Sequence, residues 1–453
     1  MDLNNKRILV VGMARSGIAA AELLHRHGAV AVLSDRKKED AFGTELDVLR
    51  QIGCEFRLGE DPVALLEECD GLVISPGVPI TAPVVKAAQE KGKPMAGELE
   101  LASSLLKGDM VAISGTNGKT TTTPLLGKIF ENAGRTTHVA GNIGYPLSAV
   151  AMESKPEDVS VVEVSSFQLE SIETFHPCVA ALTNITEDHL NRHGTMEEYI
   201  RLKKRLFENQ TEADFAVLNL DDPTLAAMAG DLKGQVAFFS RTQPVENGAF
   251  VEDGQIVWQW NGARRMICEA DQILIPGPHN LENALTATAM ACAMGVPAPV
   301  IRHTLLSFTG VEHRIEKARV FQGVTYINDS KGTNVDSTIK AVQSMKAPTV
   351  ILLGGYDKHT DFMPLCQEMV QTSWIRHAVV MGETARQIRE QLQEAGFTAI
   401  TQAYSMQDAV DKARTLAVPG GNVLLSPACA SFDMFSDYEE RGRVFKQIVN
   451  ALA

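Results

Sequence analysis

Short apolar runs alternate with longer stretches whose apolar positions recur every three or four residues, from one end of the chain to the other. Short, continuously apolar runs suit strands buried on both faces. Their alternation with helical patterns predicts parallel α/β sheets. The first group reads as a strand over Arg7–Val11, the turn Gly12-Met13-Ala14-Arg15-Ser16-Gly17, a helix over Ile18–His27, and strands over Ala29–Leu33 and Gly71–Ile74. That is a compact Rossmann-like unit. The pattern restarts near Gly97-Glu98-Leu99 with a helical stretch and a fresh strand, Met110–Ser114. Strands follow at Val159–Val164, Val179–Asn184 and Phe215–Asn219, then a helix from Asn280 to Met294. A third group begins near Gly310, with strands at Val324–Asn328, Thr349–Leu353, His377–Met381 and Asn422–Leu425. Turn residues at Pro297-Ala298-Pro299 and Pro419-Gly420 punctuate this end of the chain. The pattern predicts three α/β domains in series, over residues 1–97, 98–309 and 310–453.

The length of 453 residues agrees with that division at about 150 residues per domain. Charge narrows the function. With 42 Lys and Arg against 56 Asp and Glu, the net charge of −14 argues against binding nucleic-acid backbones, yet leaves room for a small anion in a local basic site. No segment reaches the roughly 20 apolar residues of a membrane span. Lys6-Arg7 precede only the run Ile8–Val11, which is no export signal. The seven cysteines are scattered without a CxxC pair, which reads as reduced, packed thiols in a cytoplasm.

The sharpest chemical signal is Ser114-Gly115-Thr116-Asn117-Gly118-Lys119-Thr120-Thr121, placed between a strand and a helix. Glycines there let backbone N–H groups converge on phosphate oxygens, and the helix N-terminus adds its dipole. Lys119 offers a point charge to the β/γ-phosphates, and the Thr120 hydroxyl a ligand for Mg²⁺. Ile113 stands where a full phosphate-loop pattern has its first glycine, so this loop is a variant. Pro124 lies in the first turns of the following helix. Glu163 and His189 lie at the ends of later strands of the same region, where ligands of open parallel sheets bind. In the helix that follows, Thr195 and Glu198 have capping-box spacing, and Tyr199 shares a face with Lys203. Spacing alone does not choose between Lys203 and Lys204. In the N-terminal turn Ala14 replaces the middle glycine of a dinucleotide fingerprint, which weakens a dehydrogenase reading.

Taken together, these residues resemble the ATP-dependent Mur ligases of peptidoglycan synthesis. Gly115–Thr121 is the variant loop those enzymes share with folylpolyglutamate synthetases. The further stretches are Gly141-Asn-Ile-Gly, Asn184-Ile-Thr-Glu-Asp-His-Leu-Asn-Arg-His, Asn219-Leu-Asp-Asp-Pro, His279-Asn-Leu-Glu-Asn, His313-Arg-Ile-Glu, Asn328-Asp-Ser-Lys-Gly-Thr-Asn, Leu353-Gly-Gly-Tyr-Asp-Lys and Leu425-Ser-Pro-Ala-Cys-Ala-Ser-Phe-Asp. They run in family order almost end to end and look like the members that add D-glutamate; relatives that add other amino acids differ near 328–334 and lack the Ser-Pro-Ala-Cys-Ala-Ser segment.

The resemblance implies a Rossmann-like N-terminal domain for the UDP-substrate, a central P-loop ATPase-like domain, and a Rossmann-like C-terminal domain for the amino acid. It implies that Arg15, Ser16, Asp35, Arg36, Ser75, Pro76, Gly77 and Asn142 meet the UDP-substrate. Gly115, Thr116, Asn117, Gly118, Lys119, Thr120 and Thr121 would bind ATP together with Asn280, Asn283, Arg314 and Asp329. Thr120, Glu163, His189 and Lys203 would serve two Mg²⁺ ions, Lys203 as a carbamate, with Lys119, His189 and Lys203 the catalytic set. Lys331, Thr333, Lys358, Ser431 and Phe432 would hold D-glutamate, two lysines suiting a dicarboxylate. The implied activity is addition of D-glutamate to UDP-N-acetylmuramoyl-L-alanine through an acyl phosphate, by a cytoplasmic monomer that inserts in no membrane. Folylpolyglutamate synthetase is the nearest rival, but it begins with its ATPase domain. A non-catalytic nucleotide switch would have no use for Lys203 or the lysine pair of the third domain.

Overall fold

The structure is a computed structural model and describes residues 3–39, 42, 45–357 and 360–452. Its first sheet holds β1 (Arg7–Val11), β2 (Val30–Ser34), β3 (Glu55–Phe56), β4 (Gly71–Ile74) and β5 (Met95–Gly97). The strands are all parallel, in the order β3-β2-β1-β4-β5. The chain winds outward from β1 on one side and then returns to pair β4 on the other. The order therefore reverses between β1 and β4, and their carboxyl ends open a crevice of the kind that takes ligands.

The central sheet comprises β6 (Asp109–Ser114), β7 (Thr137–Gly141), β8 (Val159–Glu163), β9 (Val179–Leu182), β10 (Phe215–Asn219), β11 (Gln235–Ser240), β12 (Gly248–Glu252), β13 (Gln255–Trp260) and β14 (Ala263–Glu269). Its order is β14-β13-β12-β11-β10-β9-β6-β8-β7. Strands β6 to β12 pair in parallel, while β12, β13 and β14 form an antiparallel meander. The meander departs from the wholly parallel sheets expected. Its turns explain it: Asp253-Gly254 and Asn261-Gly262 all have positive φ, which suits tight hairpins.

These two sheets belong to one compact unit, Met1–Leu274 with Pro278–Phe308. The helix Glu98–Leu105 ties them. The Glu100 carboxylate accepts bonds from the N–H groups of Glu173 (2.9 Å), Thr174 (2.8 Å) and Phe175 (3.1 Å) and from the Thr174 hydroxyl (2.5 Å). Glu98 accepts from the Ser148 N–H at 2.8 Å, and burial pushes its carboxyl pKa up.

The second unit, Ile275–Gly277 with Thr309–Ala453, holds β15 (Glu316–Phe321), β16 (Val324–Asn328), β17 (Thr349–Leu353), β18 (Ile375–Val380), β19 (Ile400–Gln402) and β20 (Asn422–Leu425). The order is β15-β16-β20-β17-β18-β19, with only β15 antiparallel. Alternate residues feed two cores, as a strand period of two requires. Ile351, Leu353, Val380 and Leu424 face one, and Val350, Leu352, Val379 and Leu425 the other.

Expected and observed elements differ by a residue or two at most ends. The larger shift is the helix expected at Ile18, which begins at Arg15. Gly17 allows this, because a Cβ there would strike the Gly12 carbonyl. Among the described residues no helix is long and apolar enough to cross a membrane.

Candidate active site

The loop after β6 is held from the neighbouring strand β9. The Thr116 and Asn117 N–H groups donate to the backbone and side-chain oxygens of Asn184, both at 2.9 Å. The Thr183 hydroxyl and Asn184 amide donate back to the Asn117 carbonyl at 2.5 and 3.1 Å. Gly115 and Gly118 have φ of 131° and 88°, conformations that side chains resist. Gly118 caps the helix Lys119–Asn132. Inside that helix the Thr122 and Thr123 hydroxyls donate to the carbonyls of Gly118 and Lys119, just ahead of Pro124. The Lys119 ammonium folds over the loop, donating to the Gly115 and Thr116 carbonyls at 2.8 Å each. Thr120 stands half-buried in the helix's first turn, and Thr121 is buried behind it.

Asn280 and Asn283 lie on the helix Pro278–Ala293, one turn apart. The Asn283 amide donates to Asn280 at 3.0 Å, and its oxygen accepts from Thr122 at 3.3 Å. A Cβ on Gly118 would strike that same oxygen. Gly118→Ala is therefore expected to displace Asn283 and strain a positive φ, costing about 1–3 kcal/mol of stability. Nucleotide affinity, measured by calorimetry, should fall with it.

Glu163 ends β8 almost wholly buried, at 1% exposure. One carboxylate oxygen accepts from the Asn142 amide at 2.8 Å, and the other, also buried, has no hydrogen-bond partner among the described residues. Lys203 is equally buried; its Nζ donates to the Ser114 hydroxyl at 3.0 Å and the Gly115 carbonyl at 2.9 Å. Burial, then the neighbouring Lys119, holds its ammonium well below the ordinary lysine range, against the pull of Asp188 and Glu163. Lys204 instead pairs with Asp231 at the surface. Tyr199 bonds the Thr116 hydroxyl at 3.1 Å. Burial pushes its phenol up to about 12, so it stays protonated. His189 is half exposed, at φ 53°, with Nε2 3.5 Å from Asp188.

At the first sheet's crevice, the Ser75 hydroxyl donates to the Gly12 carbonyl at 2.7 Å. Asp35 accepts from the Met13 and Lys37 N–H groups at 2.8 and 2.9 Å. These two brace the turn from β4 and β2. Arg15, Arg36 and Gly77 are exposed on the rim, with Ser16 and Pro76 half-buried.

In the second unit, the loops after β16 and β20 are joined by Arg441, which the sequence did not single out. Its buried guanidinium donates to the Ser330 hydroxyl and carbonyl and to the Cys429 and Ala430 carbonyls. This sets Lys331 and Thr333 on one loop beside Ser431 on the next. The Lys331 ammonium lies 5.3 Å from the centre of the Tyr438 ring, another residue missed. Phe432 is 64% exposed and meets Tyr356 edge-on at 6.1 Å. Lys358 lies outside the described residues. Glu312, His313 and Glu316 cluster closely enough for a metal, but Lys446 Nζ already pairs with both glutamates at 2.6 and 2.8 Å.

Asp329 is wholly enclosed, accepting from the Ser426 hydroxyl at 2.6 Å and the Ile315 N–H at 3.1 Å. Burial outweighs these bonds and Arg314, pushing its pKa up to about 6. A raised carboxyl binds its proton more tightly when folded. Its contribution to stability is full below about pH 4 and falls as pH rises toward 6, by roughly 3 kcal/mol. Asp329→Asn should remove that part of the pH dependence, seen as a flatter urea midpoint across the same window.

Comparison with known proteins identifies the family. Residues 6–97 match the Mur ligase MurD-like N-terminal domain, 113–291 the Mur ligase middle domain, and 313–429 the Mur ligase glutamate ligase domain. A UDP-N-acetylmuramoylalanine–D-glutamate ligase of Pelotomaculum thermopropionicum is 47% identical over 451 residues, covering 100% of this chain and 99% of its own. One of Alkaliphilus oremlandii is 46% identical over 453 residues, covering 99% of each. Among solved structures, a MurF ligase from Thermotoga maritima in complex with ADP has a TM-score of 0.58 at 16% identity, covering 99% of this chain and 96% of that one. At that identity the likeness is one of fold.

Proposed function

This chain belongs to the Mur ligase family, among relatives named UDP-N-acetylmuramoylalanine–D-glutamate ligase, and from that membership we propose that it joins D-glutamate to UDP-N-acetylmuramoyl-L-alanine using ATP. We assign the UDP-substrate to residues 1–97, ATP to 98–309 and D-glutamate to 310–453, in a reducing cytoplasm that suits seven free cysteines.

The observation that carries the reading is Glu163. A buried carboxylate oxygen without a partner is costly, and a cation repays it. Glu163 and the Thr120 hydroxyl fit a Mg²⁺ ion beside the phosphate loop, and a bound ion would neutralise charge on the transferring phosphoryl group. Lys203 fits a second ion only after modification, because an ammonium repels metal. Its depressed pKa favours the free amine, which reacts with carbon dioxide, losing a proton, to give a carbamate. That converts the side chain to an anionic oxygen ligand.

Lys119 and the N–H groups at the start of the helix Lys119–Asn132 hold the β/γ-phosphates in line with the alanyl carboxylate. The carboxylate oxygen attacks the γ-phosphorus and ADP departs, leaving an acyl phosphate. The D-glutamate amine, seated by Lys331, Thr333, Ser431 and Lys358, then attacks the acyl carbon. The tetrahedral intermediate expels phosphate and the amide forms. His189, beside Asp188 at this end of the central sheet, is assigned to the metal, and its lone pair then serves the ion rather than the amine proton.

Phosphate release from ATP tests the reading. It should require UDP-N-acetylmuramoyl-L-alanine and D-glutamate together and should not respond to L-glutamate. Release indifferent to both additions would overturn it.

A further inference from the structure

Beneath the phosphate loop lies a buried hydrogen-bonded cluster that no step above uses. His193 ends the short helix Leu190–His193, with its side chain 1% exposed. Its Nε2 is 2.9 Å from the Ser166 hydroxyl, and its Nδ1 is 3.5 Å from Glu170. Arg192 grips the two Glu170 oxygens at 3.0 and 2.6 Å and lies 4.3 Å from the Phe167 ring centre. The His193 ring sits 5.4 Å from Phe167 and 5.5 Å from Tyr199.

A serine, a histidine and a carboxylate in a row could be a nucleophilic relay. Burial argues otherwise, because Ser166 is 2% exposed and no substrate atom could reach it. A carboxylate facing Nδ1 keeps the proton on that nitrogen, so Nε2 accepts from the Ser166 hydroxyl. The bond is therefore a cross-link between two stretches of chain. Ser166 follows Glu163 by three residues, at the end of β8. His193 lies just before the helix Met196–Lys204, whose Tyr199 bonds the loop and whose Lys203 Nζ is 5.4 Å from the Tyr199 ring centre.

We propose that His193 is a positioning residue: by bonding Ser166 and packing on Tyr199, it fixes the separation of Glu163 and Lys203 across the phosphate loop, and with it the affinity of that pair for a divalent cation. The inference rests on the ligase reading for the use of the cation, but its test does not.

The experiment titrates Mn²⁺ into the full-length protein with a non-hydrolysable ATP analogue, following free ion by electron paramagnetic resonance. His193→Phe keeps a ring and drops the hydrogen bond to Ser166 and the Nδ1 contact with Glu170. It should weaken Mn²⁺ binding about tenfold, the equivalent of one or two lost hydrogen bonds. Ser166→Ala should weaken it by about threefold, and His193→Gln, which can bond both partners, should recover most of the loss. In turnover assays the Mg²⁺ half-saturation should rise in parallel, with KM for the UDP-substrate unchanged. Folded His193→Phe and Ser166→Ala proteins with wild-type Mn²⁺ affinity would overturn the proposal. If His193→Phe fails to fold, Ser166→Ala and His193→Gln decide. A wild-type protein that binds Mn²⁺ but shows no ligation would sink the ligase reading, and the variants would still decide this one.

Discussion

Replacing Lys119 with alanine is expected to abolish ATP-dependent phosphate release, by about a thousandfold or more, while the protein melts close to wild type. The two halves of that expectation have separate grounds. In the proposed reaction the ammonium is the loop's own charge for the γ-phosphoryl group, and removing one preorganised charge from such a site costs about 10²–10³ in rate, more when the site is dry. Stability depends instead on what the side chain touches without nucleotide. Its bonds go to the Gly115 and Thr116 carbonyls of a loop already held by Thr183 and Asn184, and each is worth only about 1 kcal/mol net. The charge also opposes Lys203, the second cause of that residue's depressed pKa. Its loss should raise the Lys203 pKa and return part of the cost. Phosphate release and a thermal melt on one preparation check both halves, and a variant turning over at wild-type rate would remove the loop from the mechanism.

Glu163→Gln should be as inactive, with a different signature. The amide keeps an oxygen for the Asn142 side chain but has no charge for a cation, so adding Mg²⁺ should not restore turnover. Glu163 is a buried carboxylate with one oxygen unbonded. A neutral group of the same shape removes the cost of burying that charge, and the variant should melt at or above the wild-type temperature. Activity that returned at high Mg²⁺, or a large fall in melting temperature, would show that the carboxylate serves the fold rather than the ion.

Legibility in the sequence followed the physics of each feature. Strands β1, β4, β10, β16, β17 and β20 were read to the residue because continuous apolar runs end sharply at turn residues. The strand, glycine loop and helix around residues 114–121 were legible because their residues are contiguous. The meander β12–β14 was missed although Asp253-Gly254 and Asn261-Gly262 announce two hairpins, because the expectation of parallel pairing left no place for them. Arg441, Tyr438 and His193 could not be found by pattern. Each lies on a helix or short turn among ordinary polar residues, and its importance comes from partners 6 to more than 100 positions away. Lys203 was picked over Lys204 by resemblance alone. The structure supplies the physical difference, one amine enclosed and the other wet.

The Glu100 carboxylate, with its four donors from residues 173–175, bears on dissecting the protein. A fragment that starts after residue 105 would strip three backbone amides of their acceptor at once and expose the face that Glu98–Leu105 covers. One that starts at residue 98 would retain both. The boundary for a stable fragment of the central sheet therefore lies before the helix Glu98–Leu105, where one acidic side chain gathers these amides.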